Sequence, residues 1–202
     1  MLLPLLYAAP VAYYQLYFQT ENVLLEQHEN FIKASFRNRC NILGPNGVMS
    51  LSIPLEMGRN QHNLYKDIRV DTSQNWQKKH WQSIKTAYGS APFFVYFAPE
   101  LATTYGKNYT FLWDFNYELH QNILSFVGKN SSSETFTQTY RTDVESSDFR
   151  AAFYTQSRKC MPYSPTFTQT YAQVFGYKYG FVPNLSILDL LMNYGKRTAT
   201  FF

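Results

Sequence analysis

An unbroken apolar run opens the chain, and Leu2 to Leu6 reads as a strand buried on both faces. Pro10 suits the first turn of a helix running to about Tyr17, and Val23 to Glu26 reads as the next short strand, giving a β-α-β beginning. From Phe31 to Leu43 the pattern is strand-like. Gly44-Pro45-Asn46-Gly47 is a turn signal, and Val48 to Leu55 alternates with Met49, Leu51, Ile53 and Leu55 on one face, so the two runs predict a hairpin. Leu64 to Val70 is a further short strand. Asp71, Thr72 and Ser73 offer caps for a helix from about Gln74 to Tyr88, which Gly89 and Pro92 close. Pro99 to Tyr105 reads as another helix. Leu112, Phe115, Leu119, Ile123 and Phe126 then recur at helical spacing before Gly128. The hexapeptide Thr-Phe-Thr-Gln-Thr-Tyr occurs at Thr135–Tyr140 and again at Thr166–Tyr171, and its alternation suits half-buried strands. Pro183 to Tyr194 is a closing helix with Asn184 as cap and Gly195 as stop, apolar nearly all round and so buried on more than one side.

These elements predict one α/β domain over residues 1–202, with a short parallel-sheet core, an inserted β-hairpin at Phe31–Leu55 and flanking helices; an α+β arrangement is the alternative. The 45% hydrophobic and 18% aromatic residues can fill such a core and exclude disorder for most of the length. A formal charge of +4 without any Lys/Arg block is too diffuse to announce nucleic acid. Met1 to Tyr14 is apolar, but the first basic residue is Lys33, and a membrane helix needs about 20 apolar residues; neither a signal peptide nor a span is expected, and the protein is read as cytoplasmic. Cys40 and Cys160 show no metal or redox spacing and are expected as reduced thiols, with no metal site and no cofactor identified.

Four places carry candidate chemistry. If Phe31 to Leu43 is one strand, Lys33, Ser35, Arg37 and Arg39 share a face, and alternate residues stand roughly 7 Å apart, so two cations can hold one carboxylate or phosphate. A solvated strand face is the competing reading. On the helix that ends at Tyr88, Trp76, His80 and Ile84 fall at i, i+4, i+8, placing His80 on an apolar face as a general base or as a packed core histidine; His62 and His120 have no comparable setting. In the last helix Asp189 and Ser186 need partners, and Arg37 or Arg39 is the cation expected to reach Asp189. Glu26-Gln27-His28-Glu29-Asn30 ends a buried strand, where α/β sheets place ligands, although a solvated loop has the same composition.

With these segments laid out, the chain resembles the WbqC-like family of bacterial proteins. The resemblance rests on Pro10, Tyr13 and Tyr14, on Glu26-Gln27-His28-Glu29-Asn30-Phe31-x-Lys33, on Arg37-Asn38-Arg39-Cys40 and on Ile53-Pro54. It continues through Arg59-Asn60, Trp76, His80-Trp81, Ala87-Tyr88, Ala91-Pro92-Phe93-Phe94 and the tail from Gly180 to Leu191, while Lys129 to Cys160 matches poorly. The resemblance implies a role in O-antigen or other surface-polysaccharide synthesis, with glycyl or aminoacyl transfer as the suggested activity. The resulting expectation is a transferase acting on a sugar or nucleotide-sugar. His80 and Asp189 are its catalytic candidates, and Lys33, Arg37, Asn38, Arg39, Arg59, Trp76, Trp81, Ser186, Glu29, His28 and Tyr13 its substrate-binding candidates. The rivals are a non-catalytic scaffold of a glycosyltransferase complex and a nucleotidyltransferase-like α/β enzyme that binds phosphate at the loop after Leu6, although the His-x-Gly-His of such enzymes is absent.

Overall fold

The computed structural model describes residues 1–33, 35–56, 63–128, 134–142, 147–153 and 167–202. Strand β1 (Leu2–Pro4), helix α1 (Val11–Phe18) and strand β2 (Val23–Glu26) form the expected β-α-β unit. β1 and β2 run parallel, with Leu3 opposite Leu25. The sheet order is completed by β5 (Glu134–Phe136), parallel to β2 on its other side. The antiparallel hairpin joins β3 (Arg39–Gly44) to β4 (Gly47–Ser52), with Arg39 opposite Ser52 and Gly44 opposite Gly47. The turn needs Gly47 because its φ of 104° lies in the left-handed region. Helices α2 (Trp76–Tyr88), α3 (Phe94–Gly106), α4 (Leu112–Val127), α5 (Gly176–Tyr179) and α6 (Ile187–Tyr194) complete a mixed fold of helices, parallel sheet and hairpin.

The core is one buried cluster running from Leu3 to Met192. Helix α6 sits inside it, with every side chain from Ile187 to Met192 buried, as its all-round apolar sequence predicts. Its amino end is capped by Ser186, whose Oγ accepts the Leu188 amide at 3.2 Å. Asn184, the expected cap, instead has φ 56° and accepts the Phe167 amide through Oδ1.

Several expected elements differ. The strand read from Phe31 begins only at Arg39, because Ser35 and Asn38 close a turn: Ser35 Oγ donates to the Ile32 carbonyl and the Asn38 amide to the Ser35 carbonyl. Leu64 to Val70 is a 3₁₀ turn at Tyr65–Asp67 flanked by isolated bridges to Asn30, Leu55 and Phe111. Helix α3 starts at Phe94 and passes through Pro99; the carbonyl that Pro99 leaves free belongs to Val95, and both residues are exposed to solvent, where that carbonyl need not be buried unpaired. The first hexapeptide supplies part of β5 because it meets the free edge of β2. Phe167 to Tyr171 in the second copy forms no strand and packs its rings on Phe181, Phe201 and Tyr194 instead. Cys40 is a free buried thiol; Cys160, Thr166, Arg59 and His62 lie outside the described residues.

Candidate functional site

The parallel strands all point their carboxyl ends at the same edge. Emerging there are the Leu5–Pro10 loop after β1, the Glu26–Asn30 segment after β2, Thr137 after β5, and Phe149 to Phe153, which follow Asp148 where it bridges Leu2. Within the Leu5–Pro10 loop, Ala8 is buried at φ 40°, a conformation that non-glycine residues adopt at a cost of about 1–3 kcal/mol.

A charged cluster is buried at this edge. Glu26, 0% exposed, accepts the His28 amide at 2.8 Å and Thr137 Oγ1 at 2.7 Å on one oxygen, and Arg150 at 3.2 Å and the Arg141 amide at 3.3 Å on the other. Arg150 also grips Asp148, with Nη2 at 2.7 Å from Oδ2. Burial works to raise the Asp148 pKa, yet the hydrogen bonds and charge of Arg150 hold it below the usual range. Arg37, 0% exposed, donates from Nε and Nη2 to the two oxygens of Glu29, both at 2.7 Å, and from Nη2 to the Arg150 carbonyl at 3.3 Å. This bidentate geometry is the strongest form of the pair. Asn116 ties the cluster to the β1 loop, donating to the Arg37 carbonyl and to Tyr65 Oη, which donates to the Leu5 carbonyl. The hydroxyl of Tyr13 lies fully buried with no partner among the described residues.

A second network reaches the same loop from α2. His80 Nδ1 meets Tyr7 Oη at 2.9 Å, and Tyr7 Oη meets Tyr105 Oη at 2.8 Å. Burial lowers the His80 pKa to about 4, opposed by a bond to the Ser52 carbonyl. With Nδ1 on Tyr7, that carbonyl takes the Nε2 proton, so the neutral imidazole accepts from Tyr7. Trp76 packs edge-on against His80 and is itself buried, whereas Trp81 is half-buried and stacks on Phe94 and Tyr105.

Two further buried networks share no hydrogen bond with these among the described residues, although the Tyr13 ring packs on Tyr14, Tyr17 and His120 of the second. Asp189 accepts Gln173 Nε2 at 2.9 Å, and the hydroxyls of Tyr171 and Tyr88 face it. Burial raises its pKa to about 6. His120 Nε2 contacts Glu134 Oε1 at 2.6 Å and its Nδ1 contacts Tyr14 Oη at 2.9 Å; Tyr17 and Gln121 donate to the same carboxylate.

The sequence-derived candidates are therefore partly gathered. Glu29, Arg37, Asn38 and His28 lie on the segments at the sheet edge, and Ser186 is bridged to Pro10 at its margin. The cationic stripe does not form: the turn at Ser35–Asn38 breaks the alternation, leaving Lys33 exposed while Arg37 is drawn inward by Glu29. Arg39 opens β3 with its Nε buried and without a partner among the described residues. The cation expected at Asp189 is not there, since Arg37 is committed to Glu29 and the described partners of Asp189 are neutral. No hydrogen bond or ion pair among the described residues joins Lys33, Arg39, His80 and Asp189 to one another. Sequence reasoning passed over Tyr7, Asp148, Arg150, Glu134 and His120. His120 carried a usable signal, because it sits beside Leu119 on the Leu112–Phe115–Ile123 stripe of α4 and is buried with it.

The loop after Leu6 does lead into the amino end of α1, but the Val11 amide is spent on the Leu185 carbonyl at 3.0 Å and the Ala9 carbonyl on the Ile187 amide at 2.8 Å. Among the described residues no group of three or more His, Cys, Asp or Glu is placed to hold a metal ion, and no helix is long and apolar enough to cross a membrane.

Compared with known proteins, the chain is 25% identical over 207 residues to a Mycobacterium tuberculosis (strain ATCC 25618 / H37Rv) protein named "Uncharacterized protein Rv1507c", covering 91% of this chain and 88% of that one. No solved structure matches it. The WbqC-like family model matches residues 7–156, which takes in the whole Glu26–Arg150 cluster and the Tyr7–His80 network and leaves out α6. The chain belongs to the WbqC-like protein family.

Proposed function

We propose that the protein is a transferase acting on a sugar intermediate of surface-polysaccharide assembly, with glycyl or aminoacyl transfer as its reaction class and the carboxyl edge of the parallel sheet as its site. The observation that carries this reading is the buried cluster of Glu26, Glu29, Asp148, Arg37 and Arg150 at the end of β2. Removing such ions from water costs several kcal/mol apiece even after relaxation, and apolar packing would hold the fold at lower cost. Their position, where open α/β sheets take ligands, supports a positioning role toward substrate.

In this reading Arg39, whose guanidinium has no ion pair among the described residues, holds the anionic group of the donor or acceptor, together with exposed Lys33 and with Arg59. His80 stays neutral at pH 7 and draws the acceptor proton through Tyr7, which passes its own proton to Nδ1. Asp189 keeps its proton up to about pH 6 and is the candidate acid. Incubation with nucleotide-sugars and aminoacyl donors, read by mass spectrometry of the product, tests the assignment. Turnover is expected to fall in Lys33→Ala, Arg39→Ala and His80→Ala; undiminished turnover in all three overturns it.

The second reading, a non-catalytic scaffold of an assembly complex, is favoured by the lack of any bond joining Lys33, Arg39, His80 and Asp189 among the described residues and by exposed rings at Tyr96 (71%) and Tyr177 (85%). It predicts that Tyr96→Ser and Tyr177→Ser weaken binding to a glycosyltransferase partner while no donor is turned over.

A further inference from the structure

Helix α2 shows two faces. Trp76, His80, Ile84, Ala87 and Tyr88 are buried on one, whereas Lys78, Lys79, Gln82, Ser83 and Thr86, with Asn75 just before the helix, line a solvent-open groove of about 670 Å³ bordered by Met49 of β4. Its charge is one-sided: α2 carries Lys78, Lys79 and Lys85 without a single Asp or Glu, and β3, β4 and their turn contain no acidic residue either. The nearest carboxylate in sequence, Asp71, accepts from the Ser73 amide at 2.9 Å, from Ser73 Oγ at 2.6 Å and from Gln74. Neither Lys78 nor Lys79 has an ion-pair partner among the described residues.

We propose that this groove binds a phosphate-bearing sugar. Two uncompensated ammonium groups supply point charges for the phosphate. The amides of Asn75 and Gln82 supply donors and acceptors for sugar hydroxyls, the Thr86 hydroxyl, which donates to the Gln82 carbonyl at 2.9 Å, supplies an acceptor, and Met49 gives an apolar wall for the ring face. His80 does not line the groove, which is therefore a second site.

Isothermal titration with uridine diphosphate-glucose, glucose 1-phosphate and neutral glucose tests this on the full chain. Saturable binding of one or both phosphorylated ligands is expected, at least tenfold weaker for the Lys78→Gln/Lys79→Gln variant and weakened by added salt. Binding of uridine diphosphate-glucose alone identifies a nucleotide-linked ligand, and binding of both identifies the sugar phosphate as the determinant. Both lysines are exposed, so unchanged thermal unfolding shows that the variant keeps its fold. No saturable binding, equal binding of neutral glucose, or equal affinity in the variant overturns the proposal. Groove binding without turnover overturns the transferase reading alone, and turnover without groove binding overturns the groove alone.

Discussion

Asp189→Asn replaces a carboxylate that is 1% exposed in α6 and whose described partners are the neutral side chains of Gln173, Tyr88 and Tyr171. Burial lifts its pKa from 3.8 to about 6. The folded state therefore holds this proton more tightly than the unfolded chain. The stability it contributes is complete below pH 3.8 and is lost as pH rises through about 6. At about 1.4 kcal/mol per pKa unit, the ionised group costs about 3 kcal/mol at neutral pH. Asparagine keeps the shape, still accepts from Gln173 and can donate to a tyrosine hydroxyl, but carries no charge. Urea unfolding followed by tryptophan fluorescence should find the variant more stable than wild type by up to about 3 kcal/mol at pH 7.5, the gap closing toward pH 4. A variant less stable at pH 7.5, or a gap that does not change with pH, refutes the reasoning. A gain of stability on removing a candidate acid is also the usual sign of a residue kept for function.

His80 should act with the opposite sign: its pKa falls from 6.5 to about 4, so about 3 kcal/mol of stability present above pH 6.5 is lost toward pH 4, and the wild-type unfolding free energy measured relative to His80→Gln should fall by that amount across the window. His80→Gln and Asp189→Asn should therefore change the pH slope of the unfolding free energy between about pH 4 and 6 in opposite directions. Glu134→Ala should cost about 3–5 kcal/mol, because it strands His120, Tyr17 and Gln121 in a buried setting; a loss below about 0.5 kcal/mol in urea unfolding contradicts this. Gly195→Ala should destabilise by about 2 kcal/mol, since φ is 57° and an added Cβ would meet Phe93 Cδ1 at 2.5 Å; pairing it with Phe93→Leu should recover part of the loss in thermal unfolding.

How much of this was legible depended on where the deciding contact lies. The β-α-β opening, the helices α2 and α4 and the buried α6 follow from periodicity and caps, which are local. The Phe31–Leu43 strand failed at Ser35–Asn38, where Ser35 Oγ donates to the Ile32 carbonyl and the Asn38 main-chain amide to the Ser35 carbonyl, so the strand starts only at Arg39. Arg37 could not be placed from spacing, because its position is set by Glu29, eight residues earlier, and by the Arg150 carbonyl far along the chain. The same holds for Glu26, whose partners Thr137 and Arg150 arrive only through the sheet. Asp189 illustrates the reverse: a need for a partner was visible from an apolar helix, but a neutral amide from a distant loop met it instead of a cation.

On the proposed function, ligand chemistry takes place at the carboxyl edge of the parallel sheet. Hydrogen-exchange mass spectrometry with and without a donor that the chain turns over reads this by position. Slowed exchange in the peptides spanning residues 5–10 and 26–39 is the predicted result. Turnover with exchange unchanged in both segments would contradict it.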